Sequence, residues 1–233
     1  MQISKLDQMF DVLATRSKMR LVAAWGVDSH TIMAAYTAVE MGLIDATIVG
    51  DEKKILSVCE EHHLDCSKLH IVHCANDVKS AALAVEMINK GEGDFLMKGL
   101  LSTDRYMKAI LNKECGLMDA GAILSHVTVT ESKHYHKLLI VGDVAIIPLP
   151  DLNQKIAITN YLIKTAHILG IETPKVGLLS ASEQTLPKIT SSAEAAIIAK
   201  MAQRGQIKGA LIEGPLGLDM ILDRESALIK GVD

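Results

Sequence analysis

The sequence predicts an α/β protein whose parallel strands lie buried under helices. Three observations carry that expectation. Hydrophobic residues make up 49% of the 233 positions but only 3% are aromatic, so the apolar content is aliphatic, with 11 Met. Strands covered on both faces are built from such residues. Helical and strand-like patterns alternate along most of the chain. Finally, strand runs end in short polar or glycine turns that lead into the next helix.

Taken in order, Leu6, Met9, Phe10 and Leu13 have helical spacing and mark an amphipathic first helix. The run Leu21 to Trp25 reads as a strand, and Gly26 and Asp28 turn the chain into a helix reaching Met41. Ala46 to Val49 is the next strand, followed by a helix with Asp51 as its N-cap. Leu69 to Val72 reads as a strand, and Val78, Ala81, Ala82, Val85 and Ile88 form one stripe of a helix. Phe95 to Met97 is a short strand ending in Lys98-Gly99, and a helix over about 103–112 follows. Ala122 to Thr130 and Leu138 to Val141 are strand-like runs joined by the polar loop ESKHYHK, an antiparallel excursion at the entry to a second lobe. Beyond Pro150 come a helix from Leu152 to Leu169, a strand from Val176 to Leu179, and a helix opened by the capping-box pattern Ser191-Ser192-Ala193-Glu194. Strand Ala210 to Ile212 and the turn Gly214-Pro215-Leu216-Gly217 complete the series. The pattern gives two α/β lobes, 1–128 and 129–233, with the boundary near 125–135.

Composition excludes several classes. The net charge is −4, from 24 basic and 28 acidic residues. Duplex binders concentrate Lys and Arg, and single-strand binders add aromatic platforms; neither is plentiful, so no nucleic-acid partner is expected. The N-terminus lacks the apolar core of a signal peptide. The longest apolar run, Leu138 to Pro150, contains Asp143 and is too short to span a bilayer. Cys59, Cys66, Cys74 and Cys115 form no CxxC pair and are expected as reduced thiols. A cytoplasmic protein is therefore expected. His62, His63, Cys66, His70, His73 and Cys74 pass from a helix end through a loop into a strand and match no usual zinc spacing, and His134 and His136 have no nearby cysteine. No metal site is expected. Neither a dinucleotide fingerprint nor a P-loop occurs.

In open α/β sheets ligands bind beyond the carboxyl ends of the strands. By that rule the candidates are Asp28, Lys98 with Ser102 and Thr103, Asp143, Ser180 with Glu183, and Glu213 with Asp219. Lys98 stands where a buried strand meets a turn, and a lysine there must find an anion or reach water. Gly99, Ser102 and Thr103 lead into a helix, whose positive end attracts phosphate. A lysine snorkelling beside an ordinary helix cap fits the same spacing. Ser125-His126 invites a nucleophile–base pairing, but neighbours on a strand point to opposite faces, so a Ser/His hydrolase is not expected.

Five segments together resemble the phosphate acetyl/butyryltransferase family, and its phosphate butyryltransferase branch most. They are LMKGLLST (96–103), GLMDAGAILSHV (116–127), LLIVGDVAIIPLPDLNQKIAI (138–158), PKVGLLSASEQTLPKITSSAEA (174–195) and GALIEGPLGLD (209–219). The resemblance runs over about residues 20–230. It implies a two-lobed α/β/α fold of the isocitrate/isopropylmalate-dehydrogenase-like type, with a cleft between the lobes, in a homodimer or larger homo-oligomer. It also implies the reversible conversion of a short-chain acyl-CoA, such as butyryl-CoA, and phosphate into acyl phosphate and CoA. CoA is then a substrate, and no permanently bound cofactor is implied. Carried onto matching positions, Lys98, Gly99, Ser102 and Thr103 hold phosphate oxygens. Ser125 and His126 stand on the opposite wall as catalytic residues, Asp143 and Pro148 shape the hinge, and Glu183, Lys188 and Asp219 belong to the second lobe. His126 enters through the resemblance alone.

Two departures stand out. Met118 occupies a position where many relatives carry a basic residue. The chain also ends at Val232-Asp233, whereas relatives continue through elements carrying a Ser-Arg pair and an Asp implicated in thiol activation. The resemblance thus implies part of a longer enzyme, poorly stable and nearly inactive by itself. Two other functions compete: a decarboxylating dehydrogenase on the same fold, which would need a nucleotide site and metal-binding aspartates, and a non-catalytic protein that binds CoA or phosphate.

Overall fold

Contacts divide the chain into two compact units, one formed by Met9–Ala122 and the other by the residues up to Gln8 together with those from Ile123 onward. The computed structural model describes residues 2–231. Val232 and Asp233, assigned from the sequence to the second lobe, lie outside the described residues.

In the Met9–Ala122 unit, β1 (Met19–Ala24), β2 (Ile44–Gly50), β3 (His70–His73) and β4 (Phe95–Lys98) form a four-stranded sheet in the order β3-β2-β1-β4, with every pairing parallel. The helices in chain order are α1 (Gln8–Ala14), α2 (Ser29–Glu40), α3 (Glu52–Glu61), α4 (Asp77–Asn89) and α5 (Thr103–Ile110). The central strand shows why the run is wholly apolar. Leu21 and Ala23 pack with Ile32, Ala35, Ile48 and Ile55 on one face, while Val22 and Ala24 pack with Val49, Ala81, Ala84 and Met87 on the other. Full burial of each larger aliphatic side chain is worth about 1.5–3 kcal/mol, so β1 anchors two cores at once.

The carboxyl edge of this sheet is where the helices begin. Asp28 caps α2, Asp51 caps α3, Asn76 caps α4 and Ser102 caps α5, each accepting backbone N–H groups of the first turn. Such caps satisfy amides that have no partner inside the helix.

The cysteines differ from expectation. Cys59 and Cys66 are joined in a disulfide, while Cys74 and Cys115 are free. Cys59 is buried at the end of α3, and the Leu64 amide donates to the Cys59 carbonyl, reversing the chain. A short 3₁₀ turn then begins at Cys66, leaving the two Cα atoms 6.2 Å apart, within bridging range. A seven-residue separation carries no spacing signature for that reversal.

In the second unit, β5 (Val127–Thr130) and β6 (Leu139–Gly142) form the antiparallel pair. The strand starts at Val127 rather than Ala122, so Ser125 and His126 lie just before it. Then follow α6 (Leu152–Ile168), β7 (Lys175–Leu179), α7 (Thr190–Gln203), β8 (Leu211–Leu216), α8 (Leu218–Leu222) and α9 (Arg224–Ile229). β7 and β8 pair in parallel, and Ile163, Ile198 and Ile207 pack beneath them with Val176, Leu178 and Ile212. β8 extends through Gly214–Leu216, which the sequence reads as a turn.

The capping box also falls elsewhere. It occurs at α6, between Asp151 and Gln154, and α7 starts without a side-chain cap. The fully buried Ser192 hydroxyl instead donates to the Gln184 carbonyl and accepts the Leu186 amide, tying down the preceding loop. Glu194 is drawn to Lys155 at 2.5 Å. Among the described residues no helix is long and apolar enough to cross a membrane.

Candidate functional site

The residues singled out by sequence fall into three local groups. Lys98 is the last residue of β4 and is exposed. Among the described residues its ammonium has no carboxylate partner, and its one polar contact is with the Gly99 carbonyl at 3.5 Å. Gly99 is required by packing. A Cβ there would come within 2.4 Å of the Trp25 carbonyl oxygen. The Gly99 amide donates to Ala24 O at 2.9 Å and the Leu100 amide to Trp25 O at 2.9 Å, so two loops cross backbone to backbone. Gly99 therefore supplies close approach rather than a free N–H. Ser102 caps α5 with its oxygen, accepting the Arg105 amide at 3.3 Å, and Thr103 is the first helical residue.

Sequence reasoning passes over three residues here. Trp25 has a positive φ of 54°, a strained region for a bulky side chain. Its amide donates to Ser80 Oγ at 2.7 Å, and the buried Ser80 hydroxyl donates to Val49 O at 3.0 Å, which holds the turn. Lys54 lies 5.7 Å over the Trp25 ring. Arg105 stands in the first turn of α5, where a cation opposes the helix dipole, and its guanidinium pairs with Asp77 at the start of α4. That charge, placed against the dipole, is the signal that could have flagged it.

The second group is centred on Asp143, just after β6. One carboxylate oxygen accepts the amides of Ala145 and Ile146, both at 2.8 Å. The other accepts the Ser125 hydroxyl at 2.9 Å and the His126 amide at 3.2 Å. Desolvation pushes this carboxyl toward the neutral form. The Ala145 and Ile146 amides, the Ser125 hydroxyl and the His126 amide outweigh it and hold the pKa down at about 2. Ser125 and His126 do not bond each other; both are tied to the same aspartate. The His126 ring has Nδ1 3.2 Å from Thr128 Oγ1.

The third group is held by Lys230. Asp219 accepts its ammonium at 2.8 Å. That hydrogen bond raises the Lys230 pKa against desolvation, with the charges of Asp219 and Glu183 adding weaker attractions. Asp219 thus links α8 to the turn after α9. Among the described residues no cluster of three or more His, Cys, Asp or Glu side chains is placed to hold a metal ion. His70 bonds Thr47, and His73 accepts the Glu52 amide. A hollow of about 350 Å³ lined by Leu13, Met19, Leu21, Phe95 and Met97 contains none of the predicted residues.

Comparison with known proteins adds to this geometry. The family described as Phosphate acetyl/butaryl transferase matches residues 75–233, more than half of the chain. This chain belongs to the phosphate acetyl/butyryltransferase family. It is 38% identical over 230 residues to a phosphate butyryltransferase of Clostridium acetobutylicum, covering 99% of this chain and 76% of the relative. It is 38% identical over 232 residues to a phosphate acetyltransferase of Rhizobium meliloti, covering 100% of this chain and 73% of that one. The crystal structure of a branched-chain phosphotransacylase from Enterococcus faecalis superposes with a TM-score of 0.75 at 26% identity, over 91% of this chain and 73% of the other. The fold is α/β with a parallel sheet, like that of the phosphotransacylase.

Proposed function

We propose that this protein is an acyltransferase that interconverts a short-chain acyl-CoA and phosphate with acyl phosphate and CoA, with butyryl or a similar group as the acyl unit. The observation that carries the reading is Lys98. It is a lysine without a carboxylate partner at the carboxyl end of a parallel sheet, beside the start of α5, in a chain of this family. A cation and a helix start together suit a phosphate oxygen.

In this reading the CoA sulfur attacks the acyl carbonyl carbon of the acyl phosphate. The C–S bond forms, and the C–O bond to phosphate breaks with its electron pair leaving on phosphate. The thiol proton ends on that phosphate. Lys98, with the hydroxyls of Ser102 and Thr103, holds the phosphate and offsets its charge. Gly99 allows the loop to approach closely. Ser125 and His126 serve the acyl carbonyl, with Asp143 fixing both, and Glu183 and Asp219 set the surroundings of Lys230. Preorganised donors of this kind lower the barrier because they need not reorient as charge develops.

The finer fold belongs to the same proposal: two lobes of isocitrate/isopropylmalate-dehydrogenase type, for which the alternation of strands and helices is the support. The sequence-based division at 1–128 and 129–233 would cut β5 and differs from the two contact-defined units. The enzyme works in the cytoplasm as a homo-oligomer and takes CoA as substrate rather than as a resident cofactor. A positive mean hydropathy of +0.24 is consistent with a chain that covers apolar surface in an assembly. The test is thiol release from a series of acyl-CoAs by the natural gene product, with and without phosphate. Release that requires phosphate and is fastest near four carbons is expected. Release that ignores phosphate contradicts the reading.

A further inference from the structure

His126 is held at two points. Its backbone amide donates to Asp143 Oδ2 at 3.2 Å, and its Nδ1 lies 3.2 Å from the hydroxyl of Thr128, two residues along the chain. Residues two apart in an extended segment project to the same side, so β5 presents Thr128 to this ring. Neither contact involves Nε2.

A hydroxyl and an imidazole nitrogen can bond in either direction, and the direction decides what the rest of the ring does. If Nδ1–H donated, the hydroxyl hydrogen of the half-buried Thr128 would turn to solvent, because among the described residues Oγ1 has no second protein partner. If Oγ1–H donates, one bond uses both the hydroxyl hydrogen and the Nδ1 lone pair. The neutral ring then carries its proton on Nε2.

We propose that Thr128 is a positioning residue: its hydroxyl donates to Nδ1 and fixes His126 as a neutral Nε2–H hydrogen-bond donor to the substrate, not as a proton acceptor. The assignment rests on the reading that gives His126 a place at the acyl carbonyl. As the thiolate adds, negative charge grows on the carbonyl oxygen, and a donor aimed there stabilises it without giving up its proton. Deprotonation of the thiol then falls to a group other than His126.

The experiment uses the natural gene product with ring-¹⁵N-labelled histidine, the His126 signals being those lost in His126→Ala. The wild type is expected to show a protonated Nε2 and an unprotonated, hydrogen-bonded Nδ1. Thr128→Val should shift the ring toward a mixture of tautomers and lower kcat about fivefold to tenfold, the worth of one ordinary hydrogen bond, with KM for phosphate little changed. Thr128→Ser, which keeps the hydroxyl, should restore both the spectrum and kcat. A wild-type spectrum with the proton on Nδ1, or an unchanged kcat in Thr128→Val, overturns the proposal. A wild-type rate in His126→Ala overturns instead the reading of His126 on which it stands, and the spectra distinguish the two failures.

Discussion

The loop after β4 and the cluster around Asp143 spend their polar groups in opposite ways. Lys98 ends a strand with its charge uncommitted, contacting only a neighbouring carbonyl. Asp143 has both oxygens occupied by four protein donors. In the proposed reading the uncommitted charge is held for a phosphate, whereas the saturated carboxylate holds the protein around it. Replacing the first should cost function more than fold, and replacing the second should cost both.

The largest expected effect follows from that contrast. Lys98→Ala should lower kcat/KM for phosphate by roughly 100-fold, in the range seen when a preorganised charge-stabilising group is lost, while the melting temperature stays within a few degrees. A comparable loss in melting temperature and activity would make Lys98 a structural residue and erase the contrast.

Asp143→Asn comes next. An amide turns NH₂ toward either the two backbone donors or the Ser125 and His126 donors, leaving donors unsatisfied. A loss of about 1–3 kcal/mol in stability is expected, measured by urea unfolding. The pH dependence sharpens the point. The Asp143 carboxyl is lowered from 3.8 to about 2 in the fold, so its contribution is full above 3.8 and is lost as pH falls toward 2. Asp94, held at about 2 by Arg20, titrates in the same window, so the difference between wild type and Asp143→Asn isolates one group. That difference should narrow as pH drops from 5 to 2.

Gly99→Ala tests the crossing of the two loops. The added methyl meets the Trp25 carbonyl at 2.4 Å, and neither backbone yields without breaking the bonds to Ala24 and Trp25. A destabilisation of about 1–3 kcal/mol is expected, as for other forced contacts, with phosphate binding weakened because Lys98 follows the loop. Lys54→Met, which removes the cation over the Trp25 ring, should cost at most about 0.5–1 kcal/mol.

These two regions also differ in how much of them is legible in sequence. Leu21 to Ala24 read as a buried strand because every residue faces one of two cores. Lys98 is legible because it stands alone at the end of a short apolar run, although that run is an edge strand with no fully buried residue rather than the buried strand the sequence suggests. Asp143 is legible by position, but its role is not, since Ser125 and His126 come 18 and 17 residues earlier and only the hairpin brings them to it. Trp25 reads as one more apolar strand residue, and nothing local announces its positive φ. The pattern from Ser191 to Glu194 predicts a cap because capping rules are local. Ser192 and Glu194 instead take partners outside that turn, at Gln184, Leu186 and Lys155. Short-range chemistry is therefore readable, and contacts made by tertiary closure are not.

The central claim is transfer of an acyl group between CoA and phosphate, and ³¹P NMR of the natural gene product tests it most directly. With butyryl-CoA and inorganic phosphate, an acyl phosphate resonance should grow in step with free thiol, and it should do so far more slowly in Lys98→Ala. Free thiol released without acyl phosphate, or neither product from an intact folded protein, would contradict the account.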